Sequence, residues 1–385
     1  MKKILDKTIN YDIFKFSLFS LLLLNVYMVY SSTYKVDFEY MIKEIIFIGI
    51  ISSIAVTIKY LILDRTVDYG KRMRKFYLIN VIILLVGLTL SIALFFLPPS
   101  IVPYINGATR WIKTPFFNIA PIEILKIGIV FLFTHILTSN MFTKDLNAKQ
   151  IKIFIPFLFI FLILSILIPI KQKDFGNFFL IVSIFLILIF ILFNKLRLIF
   201  KLIGIAVNGL FLFIIISPHR IERIKNWIFA NSGTGDVSSN YQVQQGLVHI
   251  NESGFLGNGF GESIYKLGYI PDLHTDMIFT LLMNETGFIG FTIYYLLLFY
   301  VTFFLIYKSI KINNLYTILY STIVALMLLI QSFINLLGVL SVIPLKGISV
   351  PFLSYGGSAL LFIIIAISLS VILMKINARH TEEEF

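Results

Sequence analysis

Residues 283–306 read Met-Asn-Glu-Thr-Gly-Phe-Ile-Gly-Phe-Thr-Ile-Tyr-Tyr-Leu-Leu-Leu-Phe-Tyr-Val-Thr-Phe-Phe-Leu-Ile. Between Glu285 and Lys308 there is no charged side chain. A helix needs about 20 apolar residues to cross the hydrocarbon core of a bilayer, and this stretch supplies them. Nine further segments have the same character, at roughly 13–32, 43–63, 77–97, 118–138, 153–170, 177–193, 198–217, 315–339 and 357–374. The whole chain of 385 residues is 58% hydrophobic and only 14% charged, whereas a soluble domain carries about 25% charged residues. Such a chain cannot clothe a soluble surface, and its apolarity equally excludes disorder. With no cysteine it has no disulfide framework, no thiolate metal site and no cysteine nucleophile. The expected fold is all-α: one polytopic membrane domain, residues 1–385, of about ten transmembrane helices.

The net charge of +12 is explained by where the basic residues fall. Lys and Arg concentrate in loops on the cytoplasmic side of a membrane. Lys2, Lys3 and Lys7 precede the first span, Arg65 to Lys75 follow the second, and Lys144 to Lys152 follow the fourth. The first span reads as a retained signal-anchor, because its apolar stretch is long and no small-residue cleavage site follows Tyr30. Both termini are then expected in the cytoplasm. Nucleic-acid binding is not indicated, since no basic stripe with interleaved aromatics stands outside the apolar segments. Some basic residues fall on the disfavoured side: Arg110 with Lys113, Lys171 with Lys173, and Arg220 with Arg223 and Lys225. Ordinary loop solvation accounts for any one of them. The set suits an anionic ligand at the outer face, because guanidinium groups bind phosphates in this way.

The connection 218–275, between the seventh and eighth spans, is too long to be an idle loop in a compact bundle. It reads as a large extracytoplasmic loop, rich in Gly, Ser and Asn. Its stretch Gly257-Asn-Gly-Phe-Gly261 lacks the strand–turn–helix setting of a dinucleotide site, and there is no phosphate-binding P-loop sequence. The five histidines show no paired metal-ligand spacing.

Ionisable residues within apolar spans carry more information, because each is costly in the bilayer. Glu123 and Lys126 are three apart and so share a helical face. They either neutralise each other as a structural pair or line a polar cavity. Pro121 fits a helix start just before them. Asp174 reads as a turn residue or helix N-cap. Asp276 stands where the long loop re-enters the membrane, as a general base or as another cap. If the helix is continuous from Asp276, Glu285 lies on its opposite face and is structural. Between the ninth and tenth spans, Pro344, Gly347, Pro351, Gly356 and Gly357 interrupt the helix. Non-helical backbone survives at that depth only when buried in protein or lining a cavity, and Lys346 is expected to point into it.

Taken together these residues resemble the SEDS family (shape, elongation, division and sporulation). Val29-Tyr-Ser-Ser32 is similar to the end of the family's first span, and Asn106-Gly-Ala-Thr-Arg-Trp-Ile112 to its G-A-x-R-W-[IL]. Pro121-Ile-Glu-Ile-Leu-Lys126 is similar to Q-P-S-E-x-x-K, and Gln172-Lys-Asp-Phe-Gly-Asn177 to Q-P-D-[LF]-G-T. His274-Thr-Asp-Met-Ile-Phe279 resembles H-T-D-F-I-F, in which the essential aspartate falls on Asp276. Pro344 to Ser358 resembles P-x-K-G-x-x-x-P-x-x-S-Y-G-G-S. Ala120, Ile122, Lys173, Asp272-Leu273 and Asn284 depart from the pattern, but none removes Arg110, Glu123, Lys126 or Asp276. Gly259 to Lys266 and Lys346-Gly347 resemble the division branch more than the elongation branch, while Ser358-Ala359-Leu360 is closer to the latter.

The resemblance implies a peptidoglycan glycosyltransferase of the bacterial inner membrane. Its substrate is then lipid II, a disaccharide-pentapeptide on undecaprenyl pyrophosphate. Asp276 is expected to act as base, with Arg110, Arg220, Arg223 and Lys346 contacting pyrophosphate or glycan and Glu123 and Lys126 in the same substrate site. No cofactor is evident; a divalent cation such as magnesium at the pyrophosphate is compatible with the chemistry, and the sequence shows no ligands for it. The implied partner is a class B penicillin-binding protein, which cross-links the strands, and the division septum is the expected location for the division branch. The competing readings are an elongation-branch polymerase, a lipid II flippase without glycosyl transfer, and a scaffold that recruits a transpeptidase.

Overall fold

The computed structural model describes residues 10–33, 38–64, 66–104, 109–114, 118–138, 172, 174–193, 227, 237–263, 273–344 and 347–383. Nine helices lie in these residues: α1 (Tyr11–Thr33), α2 (Phe38–Ile62), α3 (Tyr69–Ala93), α4 (Pro121–Thr138), α5 (Phe175–Phe193), α6 (Val237–Ser253), α7 (Ile278–Ile312), α8 (Leu315–Val339) and α9 (Gly357–Glu383). All but α6 coincide with apolar segments expected from the sequence. The expected spans 153–170 and 198–217 lie outside the described residues. Seven helices, α1 to α4 and α7 to α9, are long and apolar enough to cross a membrane, and the chain is an integral membrane protein.

The helix ends differ from the apolar runs for physical reasons. α3 begins at Tyr69 rather than near 77, because Lys71, Arg72, Arg74 and Lys75 form helical turns ahead of the apolar stretch. α4 begins at Pro121, where the missing N–H costs no helical bond. Residues 118–119, expected as the start of that span, instead form a strand. This is β2 (Asn118–Ile119), paired antiparallel with β1 (Ile112–Lys113), a small addition to an otherwise helical protein.

α3 and α4 pack closely, through reciprocal glycines. A Cβ on Gly87 would stand 2.7 Å from the Leu125 backbone, and one on Gly128 would stand 2.6 Å from that of Leu84. Small residues are how membrane helices approach without a hydrophobic driving force. Elsewhere, large apolar side chains point outward, among them Ile42, Ile46, Ile50 and Ile54 of α2 and Leu78, Leu85 and Ile92 of α3. This surface accounts for the composition, since lipid replaces water as the solvent of that face.

α7 is broken at Gly287, whose φ of 64° interrupts helical geometry. In an unbroken α-helix the amides of residues 288 and 289 would bond the carbonyls of 284 and 285. Here Asn258 N–H donates to Asn284 O (2.8 Å) and Gly259 N–H to Glu285 O (3.1 Å), while Phe288 and Ile289 donate to Gly254 O and Phe255 O. A turn that follows α6 therefore docks into the break. Gly257, at φ 77°, is in direct contact with the backbone of Glu285 and Gly287, where no side chain fits.

Candidate functional site

The site is assembled where four non-helical pieces meet: the segment before β1, Gln172 with Asp174, the turn 273–277 and the segment 347–356. Gly347 lies at the centre. A Cβ there would stand 2.9 Å from Arg110 Nη1 and 3.1 Å from Asp276 Oδ2. Two such short distances to one point bring the guanidinium and the carboxylate within reach of a single small group. Any residue with a side chain at 347 would fill the space between them.

Asp276 does not cap a helix. α7 begins at Ile278, and its N-cap is Met277, with no side-chain cap bond. The condition that would set Asp276 and Glu285 on opposite faces of one helix is not met, because Asp276 precedes the helix, in a turn. Glu285 is buried and accepts hydrogen bonds from Tyr27 and Ser31 of α1, a tie between two spans. Asp174 is a cap, since its Oδ1 accepts from Asn177 N–H at 3.1 Å and its Oδ2 from Asn177 Nδ2 at 2.9 Å. Arg110 is anchored by its Nε, which donates to Gln172 O at 3.2 Å. Ser358, in the first turn of α9, holds the nearby hairpin by donating to Asn118 O and accepting from Ala120 N–H, both at 3.1 Å.

Glu123 and Lys126 form an ion pair of 2.6 Å, with Lys126 fully buried. The ammonium also donates to Gln331 Oε1 at 3.2 Å and sits over the Phe362 ring, 4.5 Å from its centroid. Gln331 passes the connection on, donating to Ser349 O at 2.8 Å. The pair is thus tied to the segment 347–356 rather than standing alone on α4.

That segment runs buried between α8 and α9, with Ile348, Val350, Phe352, Leu353 and Ser354 all inside. Its backbone must therefore find partners in protein, and side chains supply them. Asn335, one turn after Gln331 on α8, donates to Ile348 O (2.8 Å) and to Asp276 O (2.9 Å). Ser354 accepts from Val350 N–H and donates to Thr275 O. Tyr355 N–H donates to His274 O at 2.8 Å. Tyr294 donates to Pro351 O and Asn25 to Ser354 O. Every one of residues 274, 275 and 276 is held by its carbonyl.

From the other side, α2 presses one stripe against the end of the segment. Tyr40 packs edge-on against Tyr355, with centroids 5.2 Å apart. Glu44 Oε1 accepts from Gly356 N–H at 3.4 Å. Phe47 fills the space where Gly357 would carry a Cβ. Residues 40, 44 and 47 lie on one helical face.

Among the expected site residues, then, Asp276 and Arg110 converge, and Glu123 and Lys126 support the segment beside them. Arg220, Arg223 and Lys346 lie outside the described residues. The sequence reading gave no role to Asn25, Glu44, Gln172, Gln331, Asn335 or Ser354. Gln331 and Asn335 carried a usable signal, two amides four apart in an apolar span. Glu44 carried one as well, a lone carboxylate in the second span next to the ion-paired Lys43 and Glu39. Among the described residues no three His, Asp or Glu side chains gather to hold a metal ion. One carboxylate and one guanidinium do not make a magnesium donor set.

Residues 12–382 match the family of cell cycle proteins FTSW_RODA_SPOVE. Among curated proteins, the probable peptidoglycan glycosyltransferase FtsW of Helicobacter pylori strain J99 is 35% identical over 324 residues, covering 78% of this chain and 81% of its own. The protein of the same name from Wigglesworthia glossinidia brevipalpis is 34% identical over 295 residues, covering 76% and 75%. Among solved structures, the rod shape determining protein RodA of Thermus thermophilus superposes with a TM-score of 0.63 at 18% identity, over 94% of this chain and 95% of that one. A chain of a peptidoglycan synthase complex that coordinates polymerization and crosslinking gives 0.71 at 18% identity, over 94% and 97%. At such identities the structures speak to the fold, and the sequence match to the family: this chain belongs to the FtsW/RodA/SpoVE cell cycle proteins, the SEDS family.

Proposed function

We propose that this protein is a peptidoglycan glycosyltransferase that polymerises lipid II during cell division, with Asp276 as its general base. The observation that carries the reading is the meeting of Asp276 and Arg110 across Gly347. Glycosyl transfer from a pyrophosphate needs a group to take the proton of the attacking 4-hydroxyl and positive charge for the departing oxygens. As the new bond forms at the anomeric carbon, the bond from that carbon to the pyrophosphate oxygen breaks, and the hydroxyl proton passes to the carboxylate. A glycosidase requires a second carboxyl to protonate its leaving group. Pyrophosphate leaves as a stable anion, so one carboxylate and cations suffice. Arg110 is the described cation for that work, and Arg220, Arg223 and Lys346 are further candidates.

Relatives named FtsW favour the division branch. The basic residues of the expected cytoplasmic loops favour an orientation with both termini inside and Asp276 on the outer face, the side on which a polymerase of exported precursors would work. A class B penicillin-binding protein is the proposed partner, packing against the bundle and ordering the turn that presents Asp276, a population shift rather than added chemistry. The test is glycan formation from lipid II by the purified full chain in lipid, with and without that partner. Asp276→Asn keeps the shape and removes the base, so the rate should fall about 10²- to 10⁴-fold while lipid II still binds. Near wild-type polymerisation by that variant would remove Asp276 as base.

A further inference from the structure

Gln172 is a residue that the mechanism above leaves without a task. Its backbone is fixed on two sides. Its carbonyl accepts from Arg110 Nε, and two residues on, Asp174 caps α5. Its side chain is 1% exposed, and neither Nε2 nor Oε1 has a hydrogen-bond partner. Its neighbour Asn177 places its amide nitrogen on Asp174 and leaves only its oxygen unpaired, whereas both polar atoms of Gln172 are unpaired. Buried polar groups are almost always paired, and an unpaired one asks for an explanation.

The chemistry of the group narrows what would pair it. A carboxamide offers two N–H donors and a carbonyl acceptor. An anion satisfies the nitrogen and repels the oxygen, and a cation does the reverse. A secondary amide satisfies both, by accepting from Nε2 and donating to Oε1.

We propose that Gln172 is a specificity-determining residue that pairs with a secondary amide of the lipid-linked substrate, beside the pyrophosphate bound by Arg110. This rests on the glycosyltransferase reading. The amide has two sources in a disaccharide-pentapeptide, an N-acyl group on a sugar ring or a peptide bond of the stem. The carboxamide has no protein partner to give up, so a substrate amide that reaches it gains both hydrogen bonds.

The experiment uses the full-length protein in lipid with its partner, wild type against Gln172→Met, which keeps length and volume and removes both polar atoms. Lipid II binding is measured directly by titration, alongside KM, kcat and thermal unfolding. The expected result is a loss of lipid II affinity and a rise in KM of about tenfold, with kcat unchanged and thermal stability equal or higher. Lipid II with an N-deacylated sugar, and lipid II with its stem removed, then identify the source. One of them should lose the same factor on the wild type and nothing further on the Met variant. Wild-type affinity in Gln172→Met, a fall in its thermal stability, or no loss with either analogue would each overturn the proposal. If the wild type binds lipid II but makes no glycan, the glycosyltransferase reading fails, and the titration still decides the role of Gln172.

Discussion

In the segment 347–356, buried backbone is satisfied by side chains reaching in from α1, α2, α7 and α8: Asn25, Glu44, Tyr294, Gln331 and Asn335. At the break in α7, four stranded backbone groups are satisfied by the backbone of the turn 254–259. Both solve the same problem, since unpaired peptide groups are not tolerated in a membrane interior. The difference lies in what each solution depends on. Backbone repair constrains little beyond the glycines that allow close approach. Side-chain repair makes a geometry that single substitutions alter, and the carbonyls so held include those of His274, Thr275 and Asp276.

The contrast breaks most sharply at Lys126, the far end of the side-chain network. Lys126→Ala strands Glu123 in a low-dielectric interior and leaves Gln331 Oε1 without its donor. The expected loss is about 3–5 kcal/mol, read as thermal unfolding in detergent. The double variant Lys126→Met/Glu123→Gln should recover most of that stability. A double variant as unstable as the sum of its parts would mean that the two residues do not act as a pair.

Asn335→Leu comes next. It removes the donor to two carbonyls, those of Asp276 and Ile348, at about 1–3 kcal/mol each. Because one of them positions Asp276, polymerisation per folded molecule should also fall, about 10- to 100-fold.

Gly287→Ala tests the other region. At φ 64° and ψ −163° the backbone lies in a region essentially restricted to glycine, which costs a residue with a Cβ about 1–3 kcal/mol, and contact with the docked turn adds to it. Here stability should fall while polymerisation per folded molecule stays at the wild-type level. Equal losses of specific activity in Asn335→Leu and Gly287→Ala would erase the distinction between the two regions.

The smallest effect is expected at His249 of α6, the helix that leads into the docked turn. Burial lowers its pKa from the ordinary 6.5, with Glu252 opposing. The folded state therefore prefers the neutral ring, and the unfolded state takes up the proton first. The stabilisation is present above pH 6.5 and is lost as pH falls below it toward the lower folded value. The protection of the α6 amides, after allowance for the slower intrinsic exchange at low pH, should fall on acidification, and His249→Gln should flatten that response.

The sequence made the spans legible because lipid imposes one requirement, a long and predominantly apolar run, on each of them. Asp276, Arg110, Glu123 and Lys126 were legible as charges or motifs in places where charge is expensive. Gln331, Asn335 and Asn25 were harder to place, because an amide in an apolar helix gives no sign of which distant carbonyl it meets. Asn25 and Ser354 lie 329 residues apart in the chain. The break at Gly287 was hidden for another reason. Glycine is common in membrane helices, and the partner of this one is a turn in a loop whose own glycines had no assigned task.

The docking of that turn into α7 also has a consequence for the order in which the protein is built. Residues 254–259 precede the break by about 30 positions, so the ribosome has already delivered them when α7 emerges, and closing so short a loop costs little entropy. α7 can complete its hydrogen bonding with its immediate predecessor alone. The segment 347–356 is made only after α8 and calls on residues from α1 onward. The groups that hold residues 274–276 thus come together only after α1 to α8 are made, and a chain stopped short of this segment would be well inserted and catalytically unformed.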